Sequence, residues 1–363
     1  MVEQRGLSRL LSEGVTAHAW PCAVLGVTTA EQVLFCEVAG RHMYESGRSA
    51  CCGDVFDIAS LTKVVGTTTA VMQLCECGVL DLDRPVVATL PAFASAVRGR
   101  ESESWRRSVT LRHLLAHASG LPAYVPFHRE HPGSRQPLDV VLRTGLLAAP
   151  GSRECYSDIG MMVVGLMVEV VTDTPLARYL CDSVFAPLGM GDTGYCPTGE
   201  RASRAVPTEV QGGSDTPLRG IVHDENARWA GGVAGHAGLF STVPDLLRFA
   251  RTLLNGGRLG GVSLVSPVLL GEFTRPAGFV AGSSRCLGWD SPSAGSSGGC
   301  HLSRTSFGHT GFTGTSLWID PRNGIGTVLL SNAVHPHRDC RKRAFFDWRR
   351  RVHSAVYELL RLV

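Results

Sequence analysis

The 363-residue chain is long enough to bury a large core, as one big unit or two interleaved lobes. With 44% hydrophobic and 18% charged residues it has the balance of a compact protein and not of a disordered one. A net charge of +3, with no basic stripe interleaved with aromatics, argues against a nucleic-acid partner and leaves small-molecule, peptide or ester substrates open.

From Met1 to Trp20, charged Glu3, Arg5, Arg9 and Glu13 alternate with Leu7, Leu10 and Leu11. This pattern predicts an amphipathic helix and not the unbroken apolar core of a signal peptide, so a cytoplasmic location is expected, with the periplasm as the alternative. The twelve cysteines are scattered without a small-scaffold framework, which fits free thiols better than disulfides. Ala23–Thr28 and Val33–Ala39 read as two strands joined by a polar turn. Ser60–Cys77 reads as one buried helix stopped at Gly78, with Ser60 in its first turn.

Between positions 81 and 226, helical runs at Leu111–Ala116, Ile159–Val171 and Leu176–Phe185 alternate with loops rich in Pro, Gly and Ser. No stretch reaches the ~18 apolar residues that would span a bilayer. Thr242 and Asp245 open a capped helix running through Leu254, and Gly256 with Gly257 closes it. Arg285–Ser306 is a Gly/Ser-rich loop; its Gly295-Ser296-Ser297-Gly298-Gly299 fits G-x-S-x-G but lacks the strand-to-helix setting of a nucleophile elbow, and reads as low-complexity linker. Thr315–Ile319 and Gly326–Ser331 flank the turn Asp320–Gly324 and predict a hairpin. Arg338–Val363 predicts a terminal helix docked on the sheet.

Metal chemistry finds little support. His113 and His117 are spaced i, i+4, but no glutamate stands beside the first, and both read as structural. His335, His337 and Cys340 match no zinc spacing. Neither a metal nor a cofactor is called for.

Ser60-Leu61-Thr62-Lys63 has the form S-x-x-K, whose i, i+3 spacing puts a hydroxyl and an amine on one helix face. A serine needs an adjacent base to become a nucleophile. Of the 35 basic residues only Lys63 and Lys342 are lysines. Arginine supplies positive charge everywhere else, yet it cannot release its proton, so a lysine kept inside an apolar segment points to proton chemistry. Tyr156-Ser157-Asp158 precedes an apolar helix, where the phenol can relay protons to the same face. His309-Thr310-Gly311-Phe312 precedes the hairpin, and its glycine lets a substrate lie close to the strand.

The order S-x-x-K, Y-S-D, H-T-G resembles the class C β-lactamase and penicillin-binding-protein superfamily of serine hydrolases. The resemblance takes in Phe56–Lys63, Gly78–Asp83, Leu111–Pro122 and Gly238–Thr242 with Asp245 and Leu246, and so covers most of the chain. The segments His223-Asp224-Glu225-Asn226 and Gly231–Gly238 resemble a branch that includes carboxypeptidase-like members; His236 within them is either a cleft residue or a structural one. The resemblance implies an α+β fold with an antiparallel sheet flanked by helices: an α/β lobe over about 1–80 and 231–363, with a helical lobe over about 81–230 inserted.

It further implies that Ser60 carries the acyl group, that Lys63 and Tyr156 activate it, and that the Ser60 and Phe312 backbone N–H groups form the oxyanion hole. Asp158, His309, Thr310, Gly311 and Phe312 would then contact substrate. Two positions depart from the family. Asp158 stands where asparagine is usual; an ionised carboxylate only accepts hydrogen bonds, and one pairing with Lys63 raises that amine's pKa and passes the base role to Tyr156. His309 stands where lactam-recognising members often carry lysine, and a neutral imidazole attracts a carboxylate less. The expected enzyme is a serine hydrolase of the esterase or D-amino-acid peptidase kind. A true β-lactamase, a D-Ala-D-Ala carboxypeptidase and a penicillin-binding sensor without turnover are the alternatives.

Overall fold

A computed structural model describes residues 4–95, 100–133, 137–211, 215–340 and 343–363; Glu3 of the predicted first helix and Lys342 lie outside the described residues. The strands in chain order are β1 (Cys22–Thr28), β2 (Val33–Gly40), β3 (Phe56–Asp57), β4 (Gly194–Tyr195), β5 (Leu239–Ser241), β6 (Arg258–Leu259), β7 (Val262–Ser263), β8 (Phe307–Gly311), β9 (Thr315–Asp320) and β10 (Ile325–Ser331). Five of them form an antiparallel sheet in the order β2-β1-β10-β9-β8. Its central pairing joins the two ends of the chain, with Ala23 opposite Ser331 and Leu25 opposite Leu329.

All seven residues of β1 are buried, because both faces of the sheet are covered. Alternation along the strand divides its side chains between two cores. Ala23, Leu25 and Val27 pack with Leu7 and Leu11 of the helix Gln4–Thr16 and with Phe345, Val352 and Val356 of the helix Arg343–Leu359. Cys22 and Val24 belong to the larger core, with Leu246, Leu247 and Phe249 of the helix Val243–Leu254. A Cβ on Gly26 would lie 2.4 Å from Val243 Cγ1, so the helix rests on the strand only because that position is bare. The predicted cap is in place: Thr242 Oγ1 accepts from Asp245 N at 3.4 Å, and Gly256 (φ 65°) and Gly257 (φ 92°) follow the helix. The C-terminal helix docks on the sheet as predicted, and the predicted N-terminal amphipathic helix packs on the same face. The hairpin turn is tied by Asp320, whose carboxylate accepts from Asn323 Nδ2 at 2.8 Å and from the Tyr357 hydroxyl at 2.9 Å.

The helix Asp158–Thr172 is buried without a break from Ile159 to Val168, the signature of a core helix. Ser157 caps it, accepting from Gly160 N at 3.0 Å. Among the described residues no single helix is long and apolar enough to cross a membrane.

Three expectations need correction. The segment after Ser60 is not one regular helix: it passes through a π-helix at Lys63–Thr68 before becoming α-helical at Thr69–Glu76. Thr69 Oγ1 donates to the carbonyl of Val64, five residues back, at 2.8 Å, and Thr67 Oγ1 donates out of the helix to Gly235 O at 2.7 Å. The threonine run thereby supports a widened turn. The segment 176–185 divides in the same way, α-helical at Leu176–Leu180 and π-helical at Cys181–Phe185. The Gly/Ser stretch is no loose linker: a Cβ on Gly298 would lie 2.8 Å from the Trp318 ring, so this loop is packed against β9.

Candidate active site

Ser60 stands three residues beyond β3, on a turn whose preceding residue, Ala59, has φ 46°. That left-handed conformation is unfavourable for alanine and is held by its neighbours. Buried Asp57 accepts from Ala59 N at 2.8 Å and from His223 N at 2.7 Å. Thr313 and Thr315, from the far end of the chain, donate to the Asp57 and Ile58 carbonyls at 2.7 and 3.1 Å. Gly311 makes this approach possible, since a Cβ there would lie 2.5 Å from Ile58 O.

Lys63 is fully buried, and its ammonium has three polar partners. It donates to Ser60 Oγ at 2.9 Å and to the His236 carbonyl at 2.9 Å, and pairs with Asp158 Oδ1 at 2.7 Å. Two of these contacts are hydrogen bonds and the third is an ion pair. Burial works to lower the Lys63 pKa, but the Asp158 carboxylate and Tyr156 outweigh it and push it up to about 12.

Tyr156 is sandwiched. Its ring centroid lies 4.5 Å from that of His117 and 5.8 Å from that of His309, with Lys63 Nζ at 5.0 Å and the Arg285 guanidinium at 4.9 Å. The His309 tautomer follows from its partners. Nδ1 lies 2.8 Å from the Thr310 carbonyl, which only accepts, so Nδ1 carries the hydrogen and Nε2 receives the Tyr156 hydroxyl at 3.4 Å. Burial, Lys63 and Arg285 hold the His309 pKa well below the ordinary value, and burial, Arg285 and Lys63 do the same to His117. Both imidazoles are neutral at pH 7.

Ser60, Tyr156, His309, Thr310, Gly311 and Phe312 line one cleft of about 260 Å³, with Lys63 and Asp158 behind the serine. All eight residues singled out in the sequence therefore meet. Phe312 is exposed beside the nucleophile and stacks on His223, with ring centroids 5.6 Å apart. His113 and His117 are structural, as read: His113 Nδ1 accepts from the Thr110 backbone N–H at 3.1 Å, capping its own helix, and His117 Nδ1 accepts from Ser157 N at 3.0 Å. No group of metal-ligating side chains forms among the described residues.

Sequence reasoning missed the cations of the cleft wall. Arg285 and Arg349 line it together with Asp290, and Arg285 is anchored to Glu154 at 3.0 Å and Asp290 at 3.4 Å. Arg285 opens the Gly/Ser stretch with no motif around it, and its acid partner Glu154 is 131 residues away, so no local signal marks it.

The chain resembles known proteins over nearly its whole length. It is 33% identical over 320 residues to an Escherichia coli K12 protein provisionally named D-alanyl-D-alanine carboxypeptidase, covering 82% of this chain and 73% of that one. Among solved structures, the hydrolase EstCE1, described as having promiscuous acyltransferase activity, superposes with a TM-score of 0.77 at 22% identity over 98% of both chains. An octameric penicillin-binding protein homologue from Pyrococcus abyssi superposes with a TM-score of 0.72 at 19% identity, over 98% of this chain and 77% of that one. These two likenesses concern the fold. The sequence profile of the β-lactamase family matches residues 7–349, and the chain accordingly belongs to that family and is one of its serine hydrolases.

Proposed function

We propose that the protein hydrolyses short-acyl esters and D-amino-acid peptides through an acyl-enzyme on Ser60. The observation that carries this reading is the buried ammonium of Lys63, 2.9 Å from Ser60 Oγ and 2.7 Å from a carboxylate. With its pKa pushed up to about 12, Lys63 is protonated at neutral pH and is not the resting base. It instead stabilises negative charge growing on Ser60 Oγ. The base role falls to Tyr156. Ser60 Oγ bonds to the substrate carbonyl carbon as its proton moves to the phenol oxygen, and the phenol passes its own proton to the bare Nε2 of His309. The weak basicity of that imidazole means the proton is readily returned to the leaving group. The backbone N–H groups of Ser60 and Phe312 receive the oxyanion, and water then hydrolyses the ester on Ser60.

Two features support the substrate class. A neutral His309 pulls weakly on a carboxylate, but Arg285 and Arg349 give the cleft cations that suit the carboxylate end of a D-peptide. The carboxypeptidase name of the Escherichia coli relative agrees with this. A second reading follows from Asp158: by holding Lys63 as a cation it favours a protein that is acylated by β-lactams and released slowly.

A fluorescent phosphonate should label the wild type and not Ser60→Ala, and equal labelling of both would end the nucleophile assignment. Turnover of p-nitrophenyl esters and D-Ala-D-Ala peptides, with little on nitrocefin, is the expected profile. Stable labelling by penicillin without turnover of any of them would favour the slow-release reading.

A further inference from the structure

The glycine-rich segment 231–238 lies against the nucleophile helix and supplies a main-chain oxygen to the Lys63 ammonium. Three side chains of that helix bind it and the strand that follows it: Thr67 Oγ1 donates to Gly235 O at 2.7 Å, Lys63 Nζ to His236 O at 2.9 Å, and Thr62 Oγ1 accepts from Leu239 N at 3.1 Å. The widened π-turn lets Lys63 and Thr67 reach adjacent carbonyls. Gly235 cannot be larger, because a Cβ would lie 2.2 Å from Met161 O.

The His236 side chain is itself held in place. The ring is buried, and its Nε2 lies 2.9 Å from Asp224 Oδ1. The same carboxylate oxygen accepts from Ala227 N at 2.8 Å, which fixes Asp224 at the start of the helix Glu225–Trp229. His236 Nδ1 is buried with no partner among the described residues. A buried, half-satisfied imidazole is unfavourable for folding alone.

We propose that Asp224 and His236 are positioning residues for Lys63: the imidazole, clamped to the carboxylate, holds the His236 carbonyl where it directs the ammonium at Ser60, and the Asp224 charge helps keep that ammonium protonated. The inference rests on the acyl-enzyme reading and extends it by two residues that touch neither substrate nor Ser60. Electrostatics agree with the geometry. Burial alone would raise the Asp224 carboxyl, yet His236 and Lys63 hold it far below the usual carboxylate range. The other charged or titratable groups around Lys63 are Asp158, Tyr156, His309, His117 and Arg285, and those around Asp224 are Asp57, Glu225 and Tyr124.

The test is the second-order rate of Ser60 labelling by a fluorophosphonate, measured from neutral pH up through the alkaline range in which Lys63 loses its proton, with the full chain. His236→Ala should slow labelling about 10- to 100-fold by letting the lysine drift. His236→Gln, whose amide can still donate to Asp224, should recover most of the rate. Asp224→Asn keeps an acceptor and removes a negative charge, so the ammonium loses its proton more easily, and the alkaline limb, where Lys63 stops being a cation, should move down by about half a pH unit. A purely structural role would change stability and leave that limb in place. An unmoved or raised limb in Asp224→Asn overturns the inference, as does a wild-type rate in His236→Ala; if His236→Ala fails to fold, Asp224→Asn decides alone. Failure of the underlying reading looks different, since Ser60→Ala would then label like the wild type.

Discussion

Asp158 is the side chain on which the site's proton inventory turns. Without it, burial would drive Lys63 toward neutrality; with it, the lysine is a permanent cation at physiological pH. Asp158→Asn should therefore lower the Lys63 pKa, and the alkaline limb of kcat/KM on p-nitrophenyl acetate, where the cation is lost, should shift to lower pH by about one unit or more. An unchanged limb would remove Asp158 from control of the lysine. Ser60, Lys63, Tyr156 and His309 were legible in the sequence because each sits in a short motif whose local spacing carries its chemistry. Arg285 and the His236 carbonyl were not. The first is recruited by an acid 131 residues away, and the second acts through its backbone, which has no residue-type signal.

At the level of elements, period and punctuation carried the reading where both were present. The helix Val243–Leu254 has a threonine cap, a proline in its first turn and a glycine pair beyond its end, and was bounded nearly to the residue. Thr242→Ala should lower stability by about 1 kcal/mol, seen as a lower urea midpoint at constant slope; an unchanged midpoint would mean that water replaces the cap. The π-turn at Lys63–Thr68 was not legible, since a run of buried apolar residues and threonines has the same composition whichever register its carbonyls adopt. Its widening follows from where the threonine hydroxyls find partners, and those partners are fixed only by the tertiary fold.

Over the whole molecule, the fold is stabilised by groups that resist protonation. His353 of the C-terminal helix is buried against β9, where its Nε2 lies 2.9 Å from Ser316 Oγ, and burial and Arg349 lower its pKa to about 3. Unfolded, the same imidazole titrates near 6.5. Between those values only the unfolded chain takes up the proton, so stability is complete above about pH 6.5 and is lost as pH falls toward 3. At pH 5 this one residue should cost about 2 kcal/mol. Thermal melts should show a drop from pH 7 to pH 5, and His353→Gln should flatten it; an equal drop in both proteins would place the effect elsewhere. The pairing of β1 with β10 has a consequence for how the enzyme comes into being. The two partners at its end, Cys22 and Asn332, are separated by 310 positions, so at about 5–20 residues per second a ribosome needs about 15–60 s to deliver the second after the first. For most of that interval the earliest strand has no central neighbour and the serine no His309, so a chain whose synthesis stops early is left without hydrolytic power.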